Sequence, residues 1–239
     1  MKNEFREINF REVALFKGEF GWGEFSPFLE YNDSECVPWL ACALESATQP
    51  RPHLFRNEVS VNGTIPELSD QLEIIKVVES FPGVDTFKIK IGVNLEEDIK
   101  RINFVRALKP EAQIRIDANG LLKVPHAEEL LGQIGEIEYI EQPCATLAEL
   151  GELKSRVNVK IAGDEVLRKA RDPFGVELNG IVDYLILKVQ PLGGIKRAKA
   201  LAEHHGLPVI ISSALESAIG INYGLTLAAT FEEMDFDCG

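Results

Sequence analysis

Hydrophobic residues alternate with polar ones in short runs from residue 58 onward, and each run is followed by a stretch of helical period. Strands are expected at 58–62, 86–91, 113–118, 138–142, 160–164, 184–189 and 208–213, with a clipped eighth at 236–239. Between them, 66–80 places Leu68, Leu72, Ile75 and Val78 at helical spacing, and 95–108 does the same with Ile99, Ile102, Phe104 and Val105. Helices are also expected at 127–134, 147–154 and 195–204, with a weaker one at 165–180 that Pro173 interrupts. Residues 1–57 lack this rhythm. They combine Gly18, Gly21 and Gly23 with Phe20, Trp22, Phe25, Phe28 and Tyr31, then a short helix around 38–47 and a Pro-Arg-Pro break. The expected organisation is a small, partly irregular subdomain over 1–57 and a (β/α)8-type barrel over 58–239.

Five of the strands end on a charge. Lys90, Asp117, Glu141, Asp164 and Lys188 follow one another at intervals of 27, 24, 23 and 24 residues, about one strand, one helix and two loops each. Catalytic groups in this architecture come from the C-terminal ends of the strands. Because side chains alternate along a strand, Lys88 and Lys90 share one face and Phe87, Ile89 and Ile91 the other. If the apolar set packs on helices, two ammonium groups point inward, where they need partners or neutralisation. A desolvated lysine beside another cation becomes a usable base. Three carboxylates converging on one rim repel unless a cation sits among them. Oxygen donors without nearby Cys or His favour Mg²⁺, with Mn²⁺ possible. Counted as strands two and six of eight, Lys90 and Lys188 fall on opposite sides of the ring.

Each position also has a plainer explanation. Asp117 in Asp-Ala-Asn-Gly suits a turn, and Asp164 suits a helix N-cap. Ser212, Ser213 and Ser217 read equally as an anion site or an ordinary cap. His53, His126, His204 and His205 fall away from strand ends and are expected on the surface or at helix ends.

A net charge of −13 argues against nucleic-acid or anionic-membrane partners. No apolar stretch reaches membrane-spanning length, and Met1 to Glu7 lack the core of a signal peptide. Four cysteines without a Cys-x-x-Cys pair suit a reducing compartment, so a cytoplasmic globular protein is expected. Nothing in the pattern bears on oligomeric state.

Lys88-Ile-Lys90, Asp117-Ala-Asn119, Glu141-Gln-Pro143, Gly163-Asp164-Glu165 and Lys188-Val-Gln190-Pro resemble the enolase superfamily, muconate-lactonizing subgroup. The runs from Gly21 to Phe28, Leu187 to Gly194 and Ser212 to Ser217 are similar to its menaquinone-pathway members. The resemblance implies metal ligation by Asp117, Glu141 and Asp164, acid/base work by Lys90 and stabilisation of the intermediate by Lys188. It further implies that Lys88 tunes Lys90 and that Lys88, Asn119 and Ser213 form the substrate-binding set. The reaction implied is Mg²⁺-dependent dehydration of 2-succinyl-6-hydroxy-2,4-cyclohexadiene-1-carboxylate, a lyase step. Racemisation of N-succinylamino acids, or another carboxylate epimerisation, is the alternative. A barrel that has lost catalysis is a third reading. The resemblance also implies that 1–57 is an N-terminal capping subdomain; the segments before and after the barrel are shorter than the family pattern, so either this cap is reduced or the chain is shortened.

Overall fold

The computed structural model describes residues 10–92 and 94–239. Met1 to Glu7 lie outside the described residues. The chain packs as two compact units, one of Ser60–Ile186 with Gly239 and one of Met1–Val59 with Leu187–Cys238.

In the first unit, parallel strands and helices alternate. The strands are β3 (Gly63–Ile65), β4 (Thr86–Lys90), β5 (Gln113–Asp117), β6 (Tyr139–Glu141) and β7 (Ile161–Gly163), and β8 (Tyr184–Lys188) passes out of it into the second unit. They lie side by side in chain order, as expected when each connection is a helical crossover. Phe87, Ile89, Ile114, Ile116, Ile140 and Ile161 are all buried, giving an apolar layer behind the row of charges. Each such side chain contributes about 1.5–3 kcal/mol of burial.

The helices start where side chains satisfy their first N–H groups. Asn94 caps α3 (Leu95–Leu108), accepting from the N–H groups of Glu96 and Glu97 at 3.1 and 3.2 Å. Thr146 and Glu149 form a reciprocal capping box at α5 (Leu147–Arg156). Asp70 caps Leu72 at 2.7 Å, so α2 (Gln71–Glu79) begins five residues later than the proline at 66 suggested. The helix expected from 127 begins earlier, as α4 (Val124–Leu131), and the weak 165–180 stretch reduces to α6 (Glu165–Arg168) and a 3-10 turn at Pro173–Gly175.

Two strand expectations need correction. The first barrel strand falls at Gly63–Ile65 rather than 58–62, and Gly63 is required there because a Cβ would press into the Phe87 ring at 2.8 Å. Residues 236–239 form no strand; Cys238 alone makes a bridge. The described residues of the main sheet thus supply seven strands.

The second unit is more regular than its composition suggested. A hairpin of β1 (Ala14–Gly18) and β2 (Gly21–Phe25) packs on α1 (Asp33–Thr48). Gly18 and Gly23 make that contact possible, since a Cβ on either would overlap the carbonyl of Ala47 or Ala43. The same unit holds α7 (Ile195–His205), β9 (Val209–Ser212) and α8 (Ala218–Ala229). Glu45 of α1 accepts from the Ile195 N–H at 2.6 Å and the Tyr223 hydroxyl at 2.8 Å. Glu24 of β2 accepts from the N–H groups of Ser217 and Gly220 at 3.0 and 2.9 Å. Two carboxylates from the N-terminal segment therefore sit at the N-termini of α7 and α8, where helix dipoles favour them.

Candidate active site

The strand register aligns the charges. Lys90 pairs with Asp117, Asp117 with Glu141, and Glu141 with Ala162; one step back, Lys88 pairs with Arg115 and Arg115 with Tyr139. Alternation turns both sets away from the isoleucine layer. Asp117, Glu141 and Asp164 are fully buried, and Lys88 and Lys90 are 5% and 7% exposed.

Each carboxylate meets a cation. Lys88 Nζ bonds Glu141 Oε2 at 3.1 Å, Lys90 Nζ bonds Asp117 Oδ2, and Arg168 Nε bonds Asp164 Oδ1 at 2.9 Å. Burial pulls the Lys88 ammonium down, but Glu141, Asp117 and Asp164 override it and hold it above the ordinary lysine value. With each acid turned to its own cation, no three acidic, His or Cys side chains among the described residues stand close enough to hold a metal ion as placed. The donor set nonetheless fits a hard divalent cation. Three buried oxygen donors end adjacent strands, and the pocket already draws three positive side chains to them.

Asn119 has a role in shaping the turn. Its N–H donates to Asp117 Oδ1 at 3.0 Å, its Oδ1 accepts from Lys90 at 2.9 Å, and its amide donates to Glu165 at 3.3 Å. Its φ of 46° is the left-handed conformation that asparagine tolerates best. Asp117 is therefore turn-former and pocket acid at once. Asp164, by contrast, makes no side-chain cap to α6.

Several residues here were not anticipated. Gln142, fully buried with φ of 39°, accepts from the N–H groups of Asp164 and Val166 at 3.0 and 3.2 Å, tying the end of β6 to that of β7. Arg101 and Asp98, buried on α3, brace the end of β4. Their signal was available: both fall on the face of α3 that carries Ile102 and Val105, where charge needs a reason.

Lys188 and Ser213 belong to the other unit. Lys188 is 6% exposed, and Ser213, just past β9, is partly buried. Glu216, two residues before α8, is pushed up to about 7 by burial, with Ala214 N–H and its own N–H pulling down, Glu24 pushing up and Lys188 pulling down. The four histidines stand in helices or loops, clear of the strand ends. All four cysteines are free thiols. Among the described residues, no helix is long and apolar enough to cross a membrane.

A parallel sheet with crossover helices and acids ending consecutive strands defines the enolase type of (β/α) barrel. Residues 75–238 match the family model described as enolase C-terminal domain-like, and residues 1–47 match enolase N-terminal domain-like. A dipeptide epimerase from Enterococcus faecalis, solved with Mg and the dipeptide L-Leu-L-Tyr, superposes with a TM-score of 0.78 at 21% identity, over 95% of this chain and 81% of that one. The o-succinylbenzoate synthase of Mycobacterium tuberculosis H37Rv is 45% identical over 245 residues, covering 100% of this chain and 74% of its own length. That of Mycolicibacterium smegmatis is 43% identical and covered to 75%. The chain belongs to the o-succinylbenzoate synthase family of the enolase superfamily.

Proposed function

We propose that the chain catalyses the dehydration of 2-succinyl-6-hydroxy-2,4-cyclohexadiene-1-carboxylate to o-succinylbenzoate, a step of menaquinone biosynthesis, as a cytoplasmic lyase. The observation that carries this reading is the buried row Lys90–Asp117–Glu141 at paired strand ends, in a chain 45% identical to curated synthases. In this reading residues 58–239 are the catalytic barrel and 1–57 a capping subdomain.

Lys90 takes the proton α to the ring carboxylate, leaving an enediolate. The ammonium so formed gives its proton to the departing hydroxyl, which leaves as water while the ring becomes aromatic. Lys88, on the same face of β4 as Lys90, opposes a second positive charge beside it and so favours the neutral, basic form of Lys90. Lys188 supplies positive charge to the enediolate, and Asn119 and Ser213 contact the substrate. Asp117, Glu141 and Asp164 would hold Mg²⁺, with Mn²⁺ as the substitute. That ion supplies charge neutralisation for the substrate carboxylate. A positioned acid/base contributes about 10²–10⁴ in rate, so most of the acceleration rests on this electrostatic stabilisation.

The second reading is epimerisation of an N-acylamino acid, favoured by the likeness to a dipeptide epimerase and by lysines on both β4 and β8. Incubation with N-succinylamino acids in D₂O separates the two. Deuterium at the α-carbon faster than turnover of the cyclohexadiene would make the chain a racemase first; slower or no exchange supports the synthase.

A further inference from the structure

The segment before β1 reaches the loop that follows β9. The Arg11 guanidinium donates from Nε to the Leu215 carbonyl at 3.2 Å and from Nη2 to that of Ala214 at 3.5 Å. Its other donors go to the carbonyls of Ser26 and Pro27, the latter at 3.2 Å. Its carbon centre lies 4.4 Å from the Phe28 ring centroid. Four backbone carbonyls from two loops are thus gathered by one side chain, which only a guanidinium fork offers.

Both loops are otherwise built to be held. Ala214 is buried with Phe28 and Trp39, and Phe25, Tyr31 and Leu215 pack against that cluster. Phe28 meets Tyr31 and Trp39 edge to face, with centroids 5.6 and 5.8 Å apart. Leu215 has φ of 61°, a left-handed backbone that a branched apolar residue adopts only when its surroundings impose it. Glu216 turns back to accept from the Ala214 N–H at 2.5 Å, and Glu24 holds the Ser217 N–H. Ser213 opens this loop, at the C-terminal end of a barrel strand where substrate contacts are made.

We propose that Arg11 is a specificity-determining positioning residue, latching the 26–28 loop to the 213–217 loop so that Ser213 and its neighbours present one fixed wall to the substrate's succinyl end. This rests on the synthase reading for the identity of the substrate, but the latch itself does not.

The test uses the full chain with Arg11→Ala and Arg11→Lys. Charge-assisted hydrogen bonds of this kind correspond to roughly ten- to a hundredfold in binding. Arg11→Ala is expected to raise KM for the cyclohexadiene within that range, with kcat held within about threefold. Arg11→Lys, lacking the fork, rescues only part. Amide hydrogen exchange is expected to quicken in 26–28 and 213–217 and nowhere else. Unchanged KM, a fall confined to kcat, or a uniform rise in exchange across the chain would overturn the latch. If Arg11→Ala does not fold, Arg11→Lys decides: it keeps the charge but loses the fork, and it must show part of the same KM rise and the same local exchange. If the unsubstituted chain leaves the cyclohexadiene untouched, the synthase reading falls, and the latch stands or falls on exchange alone.

Discussion

Arg101 donates to the carbonyl oxygen of Lys90 at 2.9 Å, so the residue assigned as base is fixed from behind by a buried guanidinium. The same guanidinium bonds Asp98 at 2.7 Å and the Leu68 carbonyl at 2.7 Å, and Asp98 accepts from the Gly92 N–H at 2.8 Å. Removing one partner leaves a buried charge uncompensated. Asp98→Ala or Arg101→Ala is expected to cost about 3–5 kcal/mol in urea unfolding. Activity per folded molecule should fall as well, since the end of β4 loses its brace. Stability within about 1 kcal/mol of the parent would show that the pair is not the support described.

Lys90→Ala is expected to remove turnover by at least the ~10² to 10⁴ of a positioned acid/base while leaving a cooperative thermal transition. Lys188→Ala should also be severe. Retained activity in a folded Lys90→Ala protein would end the mechanism.

Glu141→Ala and Asp164→Ala should weaken Mg²⁺ binding and activity together. A ligand bound only by the native state stabilises it by about 2.7 kcal/mol at a hundredfold excess over Kd. The unsubstituted chain should therefore melt higher with added Mg²⁺, and the two variants should lose most of that rise. An equal rise in all three proteins would place the cation elsewhere.

Glu216 gives the pH dependence its sign. Its folded pKa of about 7 lies above the ordinary 4.5, so the native state holds a proton that the unfolded chain releases. The associated stability is full below pH 4.5 and is lost as pH rises to about 7. Glu216→Gln, which keeps the hydrogen bond to Ala214, should gain on the parent across that window and hold a constant lead above it. Glu24, Arg11 and Lys188 face the same group and are unchanged in both proteins. Urea titrations at pH 5 and pH 8 read the difference; an identical gap at both values contradicts the assignment.

The buried row of charges was legible because strand alternation carries it: once Ile89, Ile116 and Ile140 face the helices, Lys90, Asp117 and Glu141 have only the other side. The helix over 95–108 was legible in full, since its cap and acidic first turn are local. What the sequence hid depends on distance along the chain. Arg11 meets Leu215 across 204 residues, and Glu45 meets Ile195 across 150, and no periodicity announces such pairs. The hairpin at 14–25 was obscured because Gly18, Gly21 and Gly23 suggest irregularity, when two of them allow close approach to α1. The pairing of each acid with its own cation was likewise invisible, because a strand-end pattern fixes the row but not the rotamers.

The decisive measurement is an absorbance assay of the full chain with the cyclohexadiene carboxylate, run with Mg²⁺ and again with EDTA. Disappearance of the substrate and appearance of o-succinylbenzoate with Mg²⁺, both abolished by EDTA, is the expected result. A folded chain whose melting point rises with Mg²⁺ but which leaves this substrate untouched would contradict the synthase assignment.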